Sequence, residues 1–194
     1  MNASKVIFGI IAAVVVVLVV AIAINSFGKQ SVKITGGITL PSSNTTTYPT
    51  VAAHPYLSAA QAEGIIGVVQ ATSVKVYNTS AEISQLSPSL AANASAVWSV
   101  SYGGVNNSSL IEQVVESPKA EALFSSLTSN VHYHPGYITG TYGGMSYLEI
   151  PYNQTMKEAG IVGQKNNYVV LALIYNDSTA SVSSLISAVA DGLP

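Results

Sequence analysis

The chain has 194 residues, of which 48% are hydrophobic and only 8% charged; it carries a net charge of -2, no Cys, and seven basic residues that are all Lys. A missing Arg complement and a slightly acidic balance exclude a nucleic-acid binder, which needs a basic face. The absence of Cys excludes a disulfide scaffold, a thiolate metal site and a Cys nucleophile.

Residues 6–24, VIFGIIAAVVVVLVVAIAI, are 19 uncharged positions without Pro. As a helix the run reaches about 28 Å, close to the roughly 30 Å hydrocarbon core of a bilayer. A helix is the open-chain form that satisfies its own backbone in lipid. This predicts a transmembrane signal-anchor over residues 6–24, preceded by a short cytoplasmic tail, residues 1–5. A cleaved signal peptide is the alternative, because Ala21-Ile22-Ala23 fits a small-residue cleavage site. The run exceeds the roughly 7–15 residues of a signal-peptide core, which favours a retained anchor. Charge does not orient it: the amino terminus and Lys5 face Lys29 and Lys33 across the run. Residues 25–57 are rich in Ser, Thr, Pro and Gly without a sustained period, and read as a linker.

Residues 58–194 read as a folded domain. Ser58 and Gln61 have capping-box spacing, and Ala62, Ile65, Ile66 and Val69 follow as an apolar helical stripe. Residues 72–77 read as a strand. Residues 78–95 are polar, contain Pro88 and show no clear period. Residues 96–102 alternate, and 110–115 return across a Gly- and Asn-rich turn as a hairpin. Ser117-Pro118 predicts a helix start, Ser at the N-cap and Pro at the first helical position, with Ala120, Leu123, Phe124 and Leu127 as its stripe. Residues 145–151 read as a strand, and 161–164 with 168–175 as a second hairpin. The run YVVLALIY, apolar on both faces, predicts a central covered strand. Asp177 or Ser178 is expected to cap a last helix that buries Val182, Leu185, Ile186 and Val189 and ends at Gly192. The fold class is therefore α+β, an antiparallel sheet with about three helices packed on it. Tyr-Gly-Gly recurs at 102–104 and 142–144, and a strand pair followed by a helix occurs twice. Internal duplication is one reading of this echo; converging turn chemistry is the simpler one.

Asn-x-Ser/Thr occurs at Asn2, Asn44, Asn78, Asn93, Asn106, Asn107, Asn153 and Asn176. These eight compare with about two to three expected from the composition. The seven beyond the apolar run are candidate glycosylation sites and argue for an extracytoplasmic domain, although Asn and Ser both favour loops anyway. From residue 30 onward five Lys stand against nine acidic residues, so most surface polarity is uncharged. With the sequons and the absent Cys, this composition resembles that of cell-surface proteins of acidophilic archaea. The layout, with LSAAQAEGIIG at 57–67 and GIVGQKNNYVVLALIYN at 160–176 before an amphipathic helix, is similar to small membrane-tethered or lipoprotein-type extracytoplasmic domains. A lipobox needs a Cys, and neither resemblance assigns a functional residue.

His132 and His134, two apart, would share one face of a strand and are weak metal candidates; two imidazoles are an incomplete site, and exposed polar His is the plainer reading. No cofactor is implied. Residues 131–152 hold five of the 11 Tyr. Tyr133, Tyr137, Tyr142 and Tyr147 are candidate ligand-binding residues, since Tyr offers a flat apolar ring and one hydroxyl; the strand propensity of Tyr is the competing account. Catalysis finds little support. Residues 144–148, GMSYL, lack the closing Gly of a nucleophile elbow, and no H-E-x-x-H or phosphate loop occurs. Glu112 and Glu116, at i and i+4, would not share a face-to-face site if they lie on a strand end, and Glu149 reads as the acid embedded in a strand. The expectation is a non-enzymatic, single-pass protein of the cell membrane. Its partners would be the bilayer, through residues 6–24, and a protein or glycan outside, with no nucleic acid. A structural envelope component or an accessory subunit of a membrane complex is the alternative, and a secreted hydrolase the third reading.

Overall fold

A computed structural model describes residues 54–129 and 136–194. The expected tail, anchor and most of the linker, together with Asn44, His132, Tyr133 and His134, lie outside the described residues. The elements run α1 (Ala59–Ile66), β1 (Val69–Tyr77), α2 (Ser80–Leu86), α3 (Pro88–Ala91), β2 (Ala96–Gly104), β3 (Ser109–Glu116), α4 (Ala120–Thr128), β4 (Ile138–Tyr142), β5 (Met145–Asn153), β6 (Glu158–Lys165), β7 (Tyr168–Tyr175) and α5 (Val182–Gly192). The strands form one antiparallel sheet in the order β1-β2-β3-β7-β6-β5-β4. Two meanders, β1–β2–β3 and β4–β5–β6–β7, therefore meet at a central β3–β7 pair. Among the described residues, no helix is long and apolar enough to cross a membrane.

Alternation along the strands creates two apolar faces, and each is covered. On the first, Val100, Leu110, Val114, Met145, Ile161, Val170 and Ile174 are buried together with Ala62, Ile65 and Ile66 of α1 and Leu185, Ile186 and Val189 of α5. On the second, Leu148, Val162 and Val169 pack against Ala120, Leu123, Phe124 and Leu127 of α4. Val97 and Val115 on the same face meet Ile83, Leu86 and Leu90 of α2 and α3. Fully burying each of the larger side chains contributes about 1.5–3 kcal/mol. YVVLALIY becomes β7, inside the sheet as its two apolar faces require.

Several local boundaries differ from expectation for identifiable reasons. The Ser58–Gln61 capping box forms, but α1 stops at Ile66 because Gly67 turns to φ +76, so Val69 opens β1 instead of extending the stripe. Residues 78–95 hold two short helices. Thr79 and Glu82 make a second capping box, and Pro88 opens α3. Ser117 is not an N-cap. Its hydroxyl donates to the Asn93 carbonyl at 2.6 Å and accepts from Lys119 N–H at 3.0 Å, so it shapes a buried turn and α4 begins at Ala120. Asp177 likewise caps a turn, accepting from the Thr179 and Ala180 N–H groups, and Ser181 caps α5. At the far end of α5, the Lys165 ammonium donates to the carbonyls of Ala190 and Leu193 at 2.8 and 2.7 Å. A cation there satisfies the orphan acceptors of a helix end.

The two Tyr-Gly-Gly sequences do different work. Gly143 and Gly144, at φ +54 and +79, close the β4–β5 hairpin, which needs positive φ at both central residues. Gly103 and Gly104 instead continue β2 as far as its turn.

Gly160 and Gly64 predict opposite responses to Ala. A Cβ at Gly160 would strike the Ala172 carbonyl and the Leu173 Cα in the adjacent strand, whereas one at Gly64 meets nothing within 4 Å. Denaturant unfolding should show Gly160→Ala destabilised by about 1–3 kcal/mol. Gly64→Ala, in helix α1, should be stabilised by about 0.5–1 kcal/mol.

Candidate functional site

Among the described residues, the most unusual group is a carboxyl in the core. Glu112 lies in mid-β3, opposite Val100 of β2 and Ala172 of β7, and is 1% exposed. Its Oε2 accepts the Leu57 N–H at 2.9 Å. Tyr102, the diagonal neighbour on β2, donates its hydroxyl to the Leu57 carbonyl. Two side chains from adjacent strands thus hold both backbone polar groups of one residue. Leu57, itself 1% exposed, immediately precedes the α1 capping box. Packing of the domain accordingly begins ahead of Ser58, with buried Pro55 and Leu57.

Burial governs the electrostatics. Loss of hydration pushes the Glu112 carboxyl up to about 8, against the lowering effect of its Leu57 N–H and Tyr102 partners. An unpaired carboxylate in the interior costs several kcal/mol, so the neutral acid is favoured. Tyr102 is raised as well, first by burial and then by the carboxyl beside it. Glu112 is therefore neither at a strand end nor open to a substrate, and the acid embedded in the core is this one; Glu149 is half-buried on β5. The next residue, Gln113, faces the opposite side beside Ser99, its cross-strand partner. Its Nε2 is buried without a hydrogen-bond partner.

The Tyr candidates separate. Tyr142 lies on the edge strand β4 at 48% exposure, and Tyr137 just ahead of it at 38%. Tyr147 turns inward onto the first core, and its ring occupies the space a Cβ at Gly140 would take. Ile138, Gly140 and Tyr142 share one face of β4, so Ile138, the Tyr147 ring and Tyr142 form an apolar stripe along that edge. His54 sits at the domain's start, its Nδ1 donating to the Tyr56 carbonyl at 2.8 Å and its ring stacked on Tyr56 at 4.0 Å. Among the described residues, no group of three or more His, Asp or Glu is placed to hold a metal ion.

The described sequon residues all fall in loops or at element ends. Asn78 is exposed just before α2. Asn93 is half-buried, its Oδ1 accepting from the Lys119 ammonium at 3.0 Å. Asn106, Asn107, Asn153 and Asn176 gather at one end of the sheet, and Asn176 Nδ2 donates to the Asn107 carbonyl. No protein-family model, curated protein or solved structure matches this chain.

Sequence reasoning passed over the Tyr102–Glu112 pair. The available signal was an acid interrupting the otherwise apolar alternation of Leu110 and Val114 on one strand face. Removing the hydroxyl tests its role: Tyr102→Phe should cost about 1–3 kcal/mol in denaturant unfolding, because the Leu57 carbonyl loses its donor in the core. Tyr142→Phe, on the exposed edge, should change stability by less than about 0.5 kcal/mol.

Proposed function

We propose that this chain is a single-pass membrane-anchored protein that displays its α+β domain outside the cytoplasm and binds a partner there without catalysing a reaction. The observation that carries this reading is the 19-residue uncharged run at residues 6–24, long enough for the hydrocarbon core. The sequons agree with an extracytoplasmic location, with Asn78, Asn106 and Asn107 at exposed positions. The partner surface is the β4 edge, where Ile138, Tyr142 and the neighbouring Tyr137 expose apolar and aromatic surface. The alternative, a structural or accessory subunit, draws on the opposite edge. There β1 ends the sheet with Val74 and Val76 exposed at 42% and 48%, and an open strand edge is a template for pairing.

Carbonate extraction should leave the native chain in the membrane pellet, and protease added to intact cells should remove the domain. Its intact mass should exceed the sequence mass by the glycans it carries. A chain that is soluble in the cytosol, unmodified and still holding residues 1–24 would overturn the reading. For the partner surface, surface cross-linking of a Tyr137→Ala, Tyr142→Ala double variant should lose adducts that the native chain forms. Unchanged adducts would remove the β4 edge, and adducts lost only on charging Val74 and Val76 would favour the subunit alternative.

A further inference from the structure

One corner of the first sheet face is left open by the helices. α1 starts just after Leu57, which is tied to Glu112 in mid-sheet. It ends at Ile66, whose Cδ1 lies 3.4 Å from where a Cβ on Gly104 would stand, so it runs toward the Gly104 end of β2. α5 ends over β6, where Lys165 holds its last carbonyls. At the other end of β1 and β2, Val74 pairs with Val100 and Val76 with Trp98. Both valines therefore share the face on which Val100 is buried, yet they stand 42% and 48% exposed. Trp98 and Tyr168, both half-buried, meet across β3 with ring centroids 6.4 Å apart and tilted by 48°. Val74, Val76, Trp98 and Tyr168 make one apolar and aromatic strip from the edge strand β1 to β7. Lys75, between the valines, points to the opposite face, and half-buried Glu116 is cross-strand partner to Tyr168.

We propose that this corner docks on the lipid surface of the membrane that anchors the chain, with Trp98 and Tyr168 at headgroup depth, a placement that rests on the anchored reading above.

The bilayer suits the strip for three reasons. The chain enters the domain on this same face, where Tyr56 and Leu57 pack, and the beginning of α1 is the end nearer the corner. Residues 25–53 separate that entry from the uncharged run, and a chain of this length reaches at most about 100 Å. A tethered domain therefore meets the bilayer at an effective concentration on the order of millimolar. So small a strip needs that help, since a stable protein interface takes roughly 20–30 residues a side. The residue types also fit: Trp and Tyr sit at membrane–water boundaries because one end of each ring is apolar and the other wet. With no free cation in the strip, the chemistry selects neutral over anionic lipid. Depth is limited by β1, whose edge N–H and C=O groups need the water and polar headgroups of the interfacial layer.

Trp98 is the sole tryptophan of the chain, so its emission reports on this corner alone. The full chain is reconstituted in phosphatidylcholine vesicles with bromine on acyl carbons near the glycerol. Emission should fall about twofold against unbrominated vesicles, as expected for a ring at the headgroup–acyl boundary. Added anionic lipid or salt should leave that fall unchanged. Val74→Asp, Val76→Asp should abolish it. Val74→Thr, Val76→Thr, which keeps β-branched side chains on the edge strand, should weaken it. Flotation separates two failures. A chain that does not float with the vesicles overturns the anchor, and the docking with it. A chain that floats with emission indifferent to bromine overturns the docking alone. The docking is equally overturned by a fall that the aspartate variant retains, or by one that appears only with anionic lipid. Trp98 indifferent to bromine yet shielded from iodide in native membranes would assign the corner to a protein partner instead.

Discussion

The pairing of β3 with β7 is the constraint from which the rest of this architecture follows. Eight residue pairs, from Ser109 with Tyr175 to Glu116 with Tyr168, join two meanders that would otherwise be separate small sheets. A short antiparallel sheet without a packed face is marginal in water. Joining the meanders places two largely apolar strands at the centre, and both sides of the sheet must then be covered. The chain meets this by sending α4 across one face on its way from β3 to the distant edge at β4, and by folding α1 and α5 onto the other. The edges are left to β1 and β4, where a Lys, irregular pairing and short length limit unwanted association.

Glu112 occupies the least hospitable position this arrangement offers, in the middle of a central strand under two helices. It is tolerated because residue 57 brings a backbone N–H to it. That contact also explains why residues 55–57 pack onto a sheet face. A backbone segment crossing an apolar surface carries an N–H and a C=O that need partners. For Leu57 these are Glu112 and Tyr102. An aliphatic residue at position 112 would pack more cheaply in isolation but would strand the Leu57 N–H, so the polar pair is the complement of an irregular segment rather than a flaw in the strand.

Elements with a sustained pattern were legible in the residues: the Ser58–Gln61 box, the 96–116 hairpin, the doubly apolar β7 and the stripe of α5. Those set by neighbours were not. Ser117-Pro118 has the local chemistry of a helix start, yet the Asn93 carbonyl 24 residues upstream takes the hydroxyl. β4, five residues reading ITGTY, alternates only weakly around a bare Gly140, and it becomes a strand because Gly143-Gly144 turns the chain and β5 offers an edge. Of the candidate site residues, Tyr137 and Tyr142 lie exposed while Tyr147 was drawn inward, a difference decided by the bare backbone of Gly140 across the pair. Glu112 was visible only as an exception, because nothing in its own strand announces the Leu57 backbone that satisfies it.

The apparent repeat and the excess of sequons have a common explanation in turn chemistry. The two-fold axis that would relate antiparallel β3 and β7 stands perpendicular to the sheet and would put the helices that follow them on the same face. They lie on opposite faces, so the echo of strand pair and helix is not carried into three dimensions. The sequons behave similarly. Asn106, Asn107 and Asn176 hold φ of 56, 61 and 56, a region that Asn occupies more readily than other side chains. Ser108, the hydroxyl of the Asn106 sequon, is buried and donates to the Val105 carbonyl. Asn153 accepts from the N–H groups of Thr155 and Met156, so that sequon is also an Asx turn. Folding alone thus accounts for the residue choice at four of these positions. Asn78 differs: it is exposed, and the cap that follows it is made by Thr79 and Glu82 through their own side chains. The count of sequons therefore carries less weight for topology than the length and composition of the uncharged run at residues 6–24.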